Sequence, residues 1–448
     1  MRILHFCNYA DRIGGAEIYA QALVEALRAR GHTVGLFGGS PEREVDSEEL
    51  RVVKRPLYDA ARLVRDAALF NALTEFIERF RPEVVHAHNV FSVALEVVDH
   101  LGRCGVPLVQ TVHDYQLLCP NSWCVHGDGT PCAGGAGAQC FQHDCQKNYP
   151  YDSWGVLLST LRQHLASAGV RIAIAPSSYL AERLRHHGWR EVRHLAYFIE
   201  ATGPSTNVAR TEYELVYVGR LEREKGVDVL LEALPAVLSA IPRVRLTLVG
   251  GGSQEQALRR QSEQAKLGSA VRFLTQIPRA ELSIHYARAA ACILPSVWTE
   301  NSPLVAYECL SAGLPMLGSR IGGIPELIEP DCGFTFEPHN ANDLARAIIQ
   351  FLRLPLAERE RMSRAARRRA ATFDESAHLD RIEELYREAL SLGNTQDSMV
   401  DALRQLYPVL EQLSLDRPYR PDSGAKSTPL EVLRGIAREL GLPKLLRG

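Results

Sequence analysis

The 448-residue chain contains no run of about eighteen apolar positions, which excludes a helix able to cross a bilayer. It also lacks a charge excess. The 51 Lys and Arg against 53 Asp and Glu leave a net charge of −2, without the basic surplus that usually marks a nucleic-acid binder. The opening residues MRILHFCNYA read as a short apolar strand with neither a charged leader nor a long apolar core. No secretory signal is expected, and a cytoplasmic protein is the consequence.

Closely spaced cysteine pairs are missing as well. Of the ten cysteines, five crowd into CPNSWCVHGDGTPCAGGAGAQCFQHDC: Cys119, Cys124, Cys132, Cys140 and Cys145, with His126 and His143 nearby. Their spacings are looser than those of ribbon-type zinc sites. A structural zinc held by four thiolates, free thiols in an ordinary loop, and disulfides or a redox role all stay open; a large leaderless chain favours reduced thiols over disulfides.

What is present is alternation. RILHFC, TVGLFGG, VVHAHN and PLVQTVHD read as strands separated by helical stretches such as GGAEIYAQALVEALRARG, and VRIAIAPSSYLAERLRHHG repeats the unit. The polar stretch VARTEYE breaks the pattern, and a second series starts at Leu215 with LVYVGRL, RLTLVGGG, VRFLTQ, ACILPS and PMLGS. Such alternation implies parallel sheets covered by helices on both faces. The expected architecture is α/β, with two doubly wound halves facing each other across a cleft. The boundaries predicted are 1–200 for the first half, with a cysteine-rich insertion over 116–150, and 201–372 for the second. A helix over 373–392 carries an apolar stripe of Leu379, Ile382, Leu385, Tyr386 and Ala389. An amphipathic, mildly basic tail over 393–448 is suited to packing on the body, to a partner helix or to a membrane surface.

The chemistry concentrates in TENSPLVAYECLSAGLP, residues 299–315, where Glu300 and Glu308 flank the start of a short helix. Ser302 is read as its N-cap and Pro303 as its first residue, followed by Leu304. A helix start offers N–H groups and positive potential to phosphate, and the two carboxylates suit polyols, which together describe a nucleotide sugar. Upstream, Gly219-Arg220 and Lys225-Gly226 place two cations on a loop after a strand, where open parallel sheets bind ligands. The alternative is that these cations pair with Glu222 or Glu224.

These residues resemble those of a family 4, retaining, GT-B glycosyltransferase. The resemblance rests on Gly14-Gly15-Ala16-Glu17, His113-Asp114, Gly219-Arg220 with Lys225-Gly226, and Glu300 with Glu308, in that order over roughly residues 1–390. It implies that Glu308 binds the ribose, that Glu300 binds the donor sugar, and that His113 lies at the donor sugar on the acceptor side. Arg220 and Lys225 would stabilise the leaving diphosphate. Gly15, Gly250, Ile277, Ser302, Pro303 and Leu304 would line the donor. No Asp-x-Asp pair is present, so no metal or other cofactor is expected for catalysis. The implied activity moves a sugar from a nucleotide-sugar donor to a saccharide or lipid-linked acceptor in polysaccharide or glycolipid assembly, at the inner membrane face if the tail docks there. A synthase using a free sugar or sugar phosphate and a non-catalytic binding subunit are the competing readings.

Overall fold

The computed structural model describes residues 1–392 apart from 12–13, 57–61, 91, 121, 127–129, 131, 133–134, 136–139, 141–142, 144, 146–152, 200–209 and 276. The expected tail over 393–448 and much of the cysteine-rich insertion lie outside the described residues. The chain divides into two compact units. The first holds Met1–Pro176, Leu180–Leu195 and the chain from Leu379; the second holds Ser177–Tyr179 and Ala196–His378.

The first unit is built on eight strands: β1 (Arg2–Tyr9), β2 (Thr33–Ser40), β3 (Val45–Asp46), β4 (Leu50–Lys54), β5 (Val84–Ala87), β6 (Leu108–Thr111), β7 (Ile172–Ala175) and β8 (Val192–His194). Their order is β3-β4-β2-β1-β5-β6-β7-β8, and every pairing is parallel except β3 with β4. Seven of the eight β1 residues are buried, as a central parallel strand covered on both faces requires. A helix over Ala67–Phe80, outside the alternating series read from sequence, starts where the Asp66 carboxylate accepts from Leu69 N at 3.1 Å. It buries Leu69, Leu73, Phe76 and Phe80 at helical spacing.

The second unit carries β9 (Glu214–Val218), β10 (Arg245–Val249), β11 (Val271–Leu274), β12 (Ala291–Leu294), β13 (Met316–Ser319) and β14 (Gly333–Phe336), all parallel, in the order β11-β10-β9-β12-β13-β14. Counted within the unit this is the doubly wound order 3-2-1-4-5-6. The strand order therefore reverses between β9 and β12, the switch point outside whose strand ends sheets of this order bind ligands. The core beneath is secured by Leu230, Leu234 and Val237 of the Val227–Ala240 helix against Leu344, Ile348 and Phe351 of the Ala341–Arg353 helix, all fully buried. Each such side chain contributes about 1.5–3 kcal/mol.

The Glu375–Ser391 helix buries its Leu379, Ile382, Leu385, Tyr386 and Ala389 stripe. Within the first unit Glu383 meets Arg30 and His32, both at 3.2 Å, and Arg171 donates to the carbonyls of Ala389 and Leu392. The Tyr386 hydroxyl lies 2.7 Å from His86 Nδ1 on β5, both fully buried. Tyr386→Phe leaves that nitrogen without its partner, and a loss of about 1–3 kcal/mol is expected, read as a lower midpoint in calorimetric unfolding. An unchanged midpoint would show that the hydroxyl does not tie this helix to the sheet.

Candidate functional site

At the β9/β12 switch point, the loop after β9 turns back through Gly226, whose φ of +67° suits glycine and whose missing side chain admits a neighbour. A Cβ there would stand 2.0 Å from the Pro295 carbonyl. The backbone is thus locked against the loop after β12, with Val297 N donating to Glu224 O at 3.0 Å. Lys225 consequently projects at Glu300, Nζ to Oε1 at 2.6 Å, with its ammonium 5.1 Å from the Trp298 ring centre. Ser296 Oγ donates to the same carboxylate oxygen at 2.8 Å. Burial pushes the Glu300 carboxyl up, but the Lys225 ammonium and the Ser296 hydroxyl hold it below its usual range, so it stays ionised.

Gly322 and Gly323, after β13, close the third side. Cβ atoms there would stand 2.0 Å from the Glu300 carbonyl and 1.8 Å from the Asn301 carbonyl, and Gly323 N donates to Glu300 O at 2.8 Å. Glu308 is held differently, accepting from the Tyr286 hydroxyl at 2.7 Å. Arg220 is 64% exposed at its side chain and pairs with Glu224 at 2.9 Å, one of the two glutamates named as its alternative partners. Lys225 pairs with neither of them. Glu222 instead accepts from Ser253 N and Oγ, stitching this loop to Gly250–Ser253. Gly250 itself packs against Gly219, where a Cβ would meet the carbonyl oxygen at 1.9 Å.

One local expectation is overturned. The helix spans Leu304–Ser311, with Pro303 in the extended cap position and no side-chain cap. Ser302 is not the cap because its hydroxyl is engaged with the buried Tyr307 hydroxyl at 2.6 Å. Leu304 is therefore the first helical residue. Ile277 is half-buried just before the Arg279–Arg288 helix.

In the first unit, Gly14 is the extended cap and Gly15 the first residue of the Gly15–Ala29 helix. Glu17 is buried there, and desolvation raises its carboxyl above the usual range. His113 and Asp114 follow β6 and, with His88, Asn89, Gln110 and Gln116, line a small cavity. Burial pushes Asp114 up to about 7, a backbone N–H from Gln116 opposing it and the Glu17 charge adding to it. His113 Nε2 lies 3.1 Å from His88 Nδ1, and desolvation lowers the His113 imidazole to about 3. It is a neutral ring.

His5, His86 and His88 are close enough, among the described residues, to share an ion. The geometry does not favour one. His86 lies parallel to His88 at 4.4 Å and engages Tyr386 and Thr111 with its two nitrogens, so the lone pairs do not converge. Among the cysteines, Cys124 hydrogen-bonds with Cys119, and Cys145 Sγ lies 3.9 Å from His126 Nδ1. The Cys119 contact and burial hold the Cys124 thiol well above its usual range, the opposite of a reactive thiolate.

Residues 13–195 match the model described as Glycosyltransferase Family 4, and residues 199–369 match that of Glycosyl transferases group 1. The chain belongs to the GT-B glycosyltransferases of family 4. The glycogen synthase of Mycobacterium tuberculosis is 32% identical over 298 residues, 66% of this chain and 66% of its own length, just under two thirds. A D-inositol 3-phosphate glycosyltransferase of Nocardiopsis dassonvillei is 27% identical over 321 residues, 68% of this chain and 70% of its own. In fold, the glycosyltransferase matches the sucrose-phosphate synthase of Thermosynechococcus elongatus with a TM-score of 0.65 at 23% identity, over 87% of this chain and 99% of that one. Anabaena HepE in complex with UDP-glucose matches at 0.62 and 19%, over 87% and 100%.

Residues that sequence reasoning passed over are Ser296, Trp298, Tyr286, Gly322-Gly323 and the histidines of β1 and β5. Two signals were readable: a glycine pair right after a strand, and His-x-His, which in a strand puts His86 and His88 on one face.

The raised Asp114 carboxyl gives a prediction with a definite sign. Its folded value, about 7, exceeds the ordinary value of 3.8, so the folded state binds the proton more tightly and stability falls as pH rises between them. Asp114→Asn should raise the melting temperature at pH 8, and the gain should shrink as pH falls from about 7 towards 4. A gain independent of pH would assign the effect to something other than ionisation.

Proposed function

We propose that this chain is a retaining, metal-independent glycosyltransferase that moves a hexose from a nucleotide-diphosphate sugar to a saccharide or lipid-linked saccharide. The observation that carries the reading is the Lys225–Glu300 pair at the switch between β9 and β12, with Glu308 steadied nearby by Tyr286. A cation at that position can meet a diphosphate, and an ionised carboxylate beside it can accept sugar hydroxyls.

As the bond from the sugar to the diphosphate breaks, negative charge grows on the leaving oxygen. Lys225 and Arg220 supply the opposing charge, and the start of the Leu304–Ser311 helix adds N–H donors. The chain has no Asp-x-Asp pair to hold a metal in this role. Glu308 takes the ribose hydroxyls and Glu300 the donor sugar. His113, neutral, contributes a hydrogen bond rather than a charge at the sugar. Retention follows the family pattern of same-face attack, in which a donor phosphate oxygen takes the acceptor proton.

UDP-glucose is the donor to try first, because a fold relative was solved with it. A free-sugar or sugar-phosphate acceptor is the second reading, supported by a relative named for D-inositol 3-phosphate. Cytoplasmic placement belongs to the proposal; for the tail the alternatives are packing on the body, a partner helix and a membrane surface, and for the cysteine segment a structural zinc, free thiols and a disulfide or redox role; among the described residues no helix is long and apolar enough to cross a membrane.

Addition of UDP, GDP or ADP should raise the melting temperature without magnesium for one nucleotide, and Glu308→Ala should abolish that shift. Lys225→Ala should lower turnover by about a hundredfold or more. A requirement for magnesium in binding, or full transfer by Lys225→Ala, would refute the account of the leaving group. Turnover with inositol phosphate but not with oligosaccharides would select the second reading of the acceptor.

A further inference from the structure

The neutral His113 does not stand alone. Its Nε2 faces His88 Nδ1 at 3.1 Å, and His88 Nε2 faces His5 Nδ1 at 2.9 Å, forming a chain of three imidazoles from the cavity to the middle of β1. His86 stacks on His88 with ring centres 4.4 Å apart and is itself anchored through Thr111 and Tyr386. Tyr19 packs edge-on against both His88 and His113. The rings are therefore fixed in plane and cannot flip independently.

We infer that His88 and His5 are positioning residues that set the tautomer of His113, holding its proton on Nδ1 and leaving Nε2 as an acceptor. Burial lowers His5 to about 3 and His88 well below its usual value, so each ring carries one proton. Two links and three protons allow two arrangements. In one, every ring is protonated on Nε2, and His5 is left with a buried N–H. In the other, His5 and His88 donate from Nδ1, and only a lone pair remains at His5 Nε2. That atom has no hydrogen-bond partner among the described residues. A buried N–H without an acceptor is the rarer defect, because the strong donor has lost its water with nothing in exchange, so the second arrangement prevails. His113 then accepts from His88, and its own proton must sit on Nδ1.

The consequence for transfer rests on the reading of His113 as a sugar-side residue. A fixed tautomer presents one hydrogen-bonding face to the sugar; a mixture presents the wrong face part of the time. The uncharged chain does this without adding a charge beside the hydroxyl that it orients.

The test uses the full chain labelled with 15N-histidine, the His113 ring signals being assigned by their loss in His113→Gln. Nδ1 should be the protonated nitrogen in the native protein. His88→Leu and His5→Leu should convert His113 to a mixture of tautomers and lower turnover about tenfold with donor KM within about twofold. His88→Asn, which keeps an amide at the place of Nδ1, should restore the native tautomer. Should His88→Leu fail to fold, His5→Leu, two links from the cavity, carries the same readout. Protonation on Nε2 in the native protein, or an unchanged tautomer in both leucine variants, would overturn the inference. Full transfer by His113→Gln with the expected tautomer in the native protein would uphold the inference and refute the sugar-side role of His113.

Discussion

The burial of one ionised carboxylate governs the loops of the second unit. Glu300 is only 6% exposed, and an isolated charge there would be prohibitive. Its ionisation depends on Lys225, and Lys225 reaches it only because Gly226 lets the loop after β9 pass beside Pro295. Gly322 and Gly323 then close over the backbone of Glu300 and Asn301. Three loops leaving three adjacent strands are thus positioned by a single charge pair and the glycines that allow close approach. Removing either partner alone would leave the other charge uncompensated, which is why such a pair specifies geometry more than it adds stability.

The two cations of this region are held in different ways, and the difference follows from their surroundings. Arg220 is exposed, and its contact with Glu224 competes with water, so the pair contributes little to stability and the guanidinium exchanges partners readily. Lys225 is mostly enclosed between Glu300 and the Trp298 ring. A diphosphate meeting this loop would draw Arg220 away at small cost but would have to share Lys225 with Glu300. Sharing suits a group whose charge grows during reaction, because the ammonium is already oriented before the bond breaks.

The architecture was legible from sequence because both sheets are parallel but for β3 and are buried: the strand cores are near-continuous apolar runs, and the helices between them show a clear period. What escaped was short or depended on tertiary contact. The two-residue β3 carries too few residues for a pattern, and the cap of the Leu304–Ser311 helix was lost because Ser302 is claimed by Tyr307, a contact that local sequence cannot foresee. Among the candidate residues, the chain positions of Glu300, Lys225 and Arg220 were readable, but their partners were not. Glu222 and Glu224 lie next to both cations in sequence, yet Lys225 pairs with a carboxylate 75 residues away. Proximity along the chain favours the i,i+4 partner only for an exposed side chain such as Arg220.

The carboxyl and imidazole groups of the two units are tuned in opposite senses by the same force. Desolvation disfavours the charged forms of Glu300, Asp114 and His113 alike, which raises an acid and lowers a base, and between the two carboxyls what differs is the neighbour. Glu300 has a cation and remains charged; Asp114 has the Glu17 carboxylate in its field and rises to about 7. His113, a base, falls to about 3 through burial. The first unit therefore presents groups that are neutral or readily neutralised, whereas the second presents fixed charges of both signs.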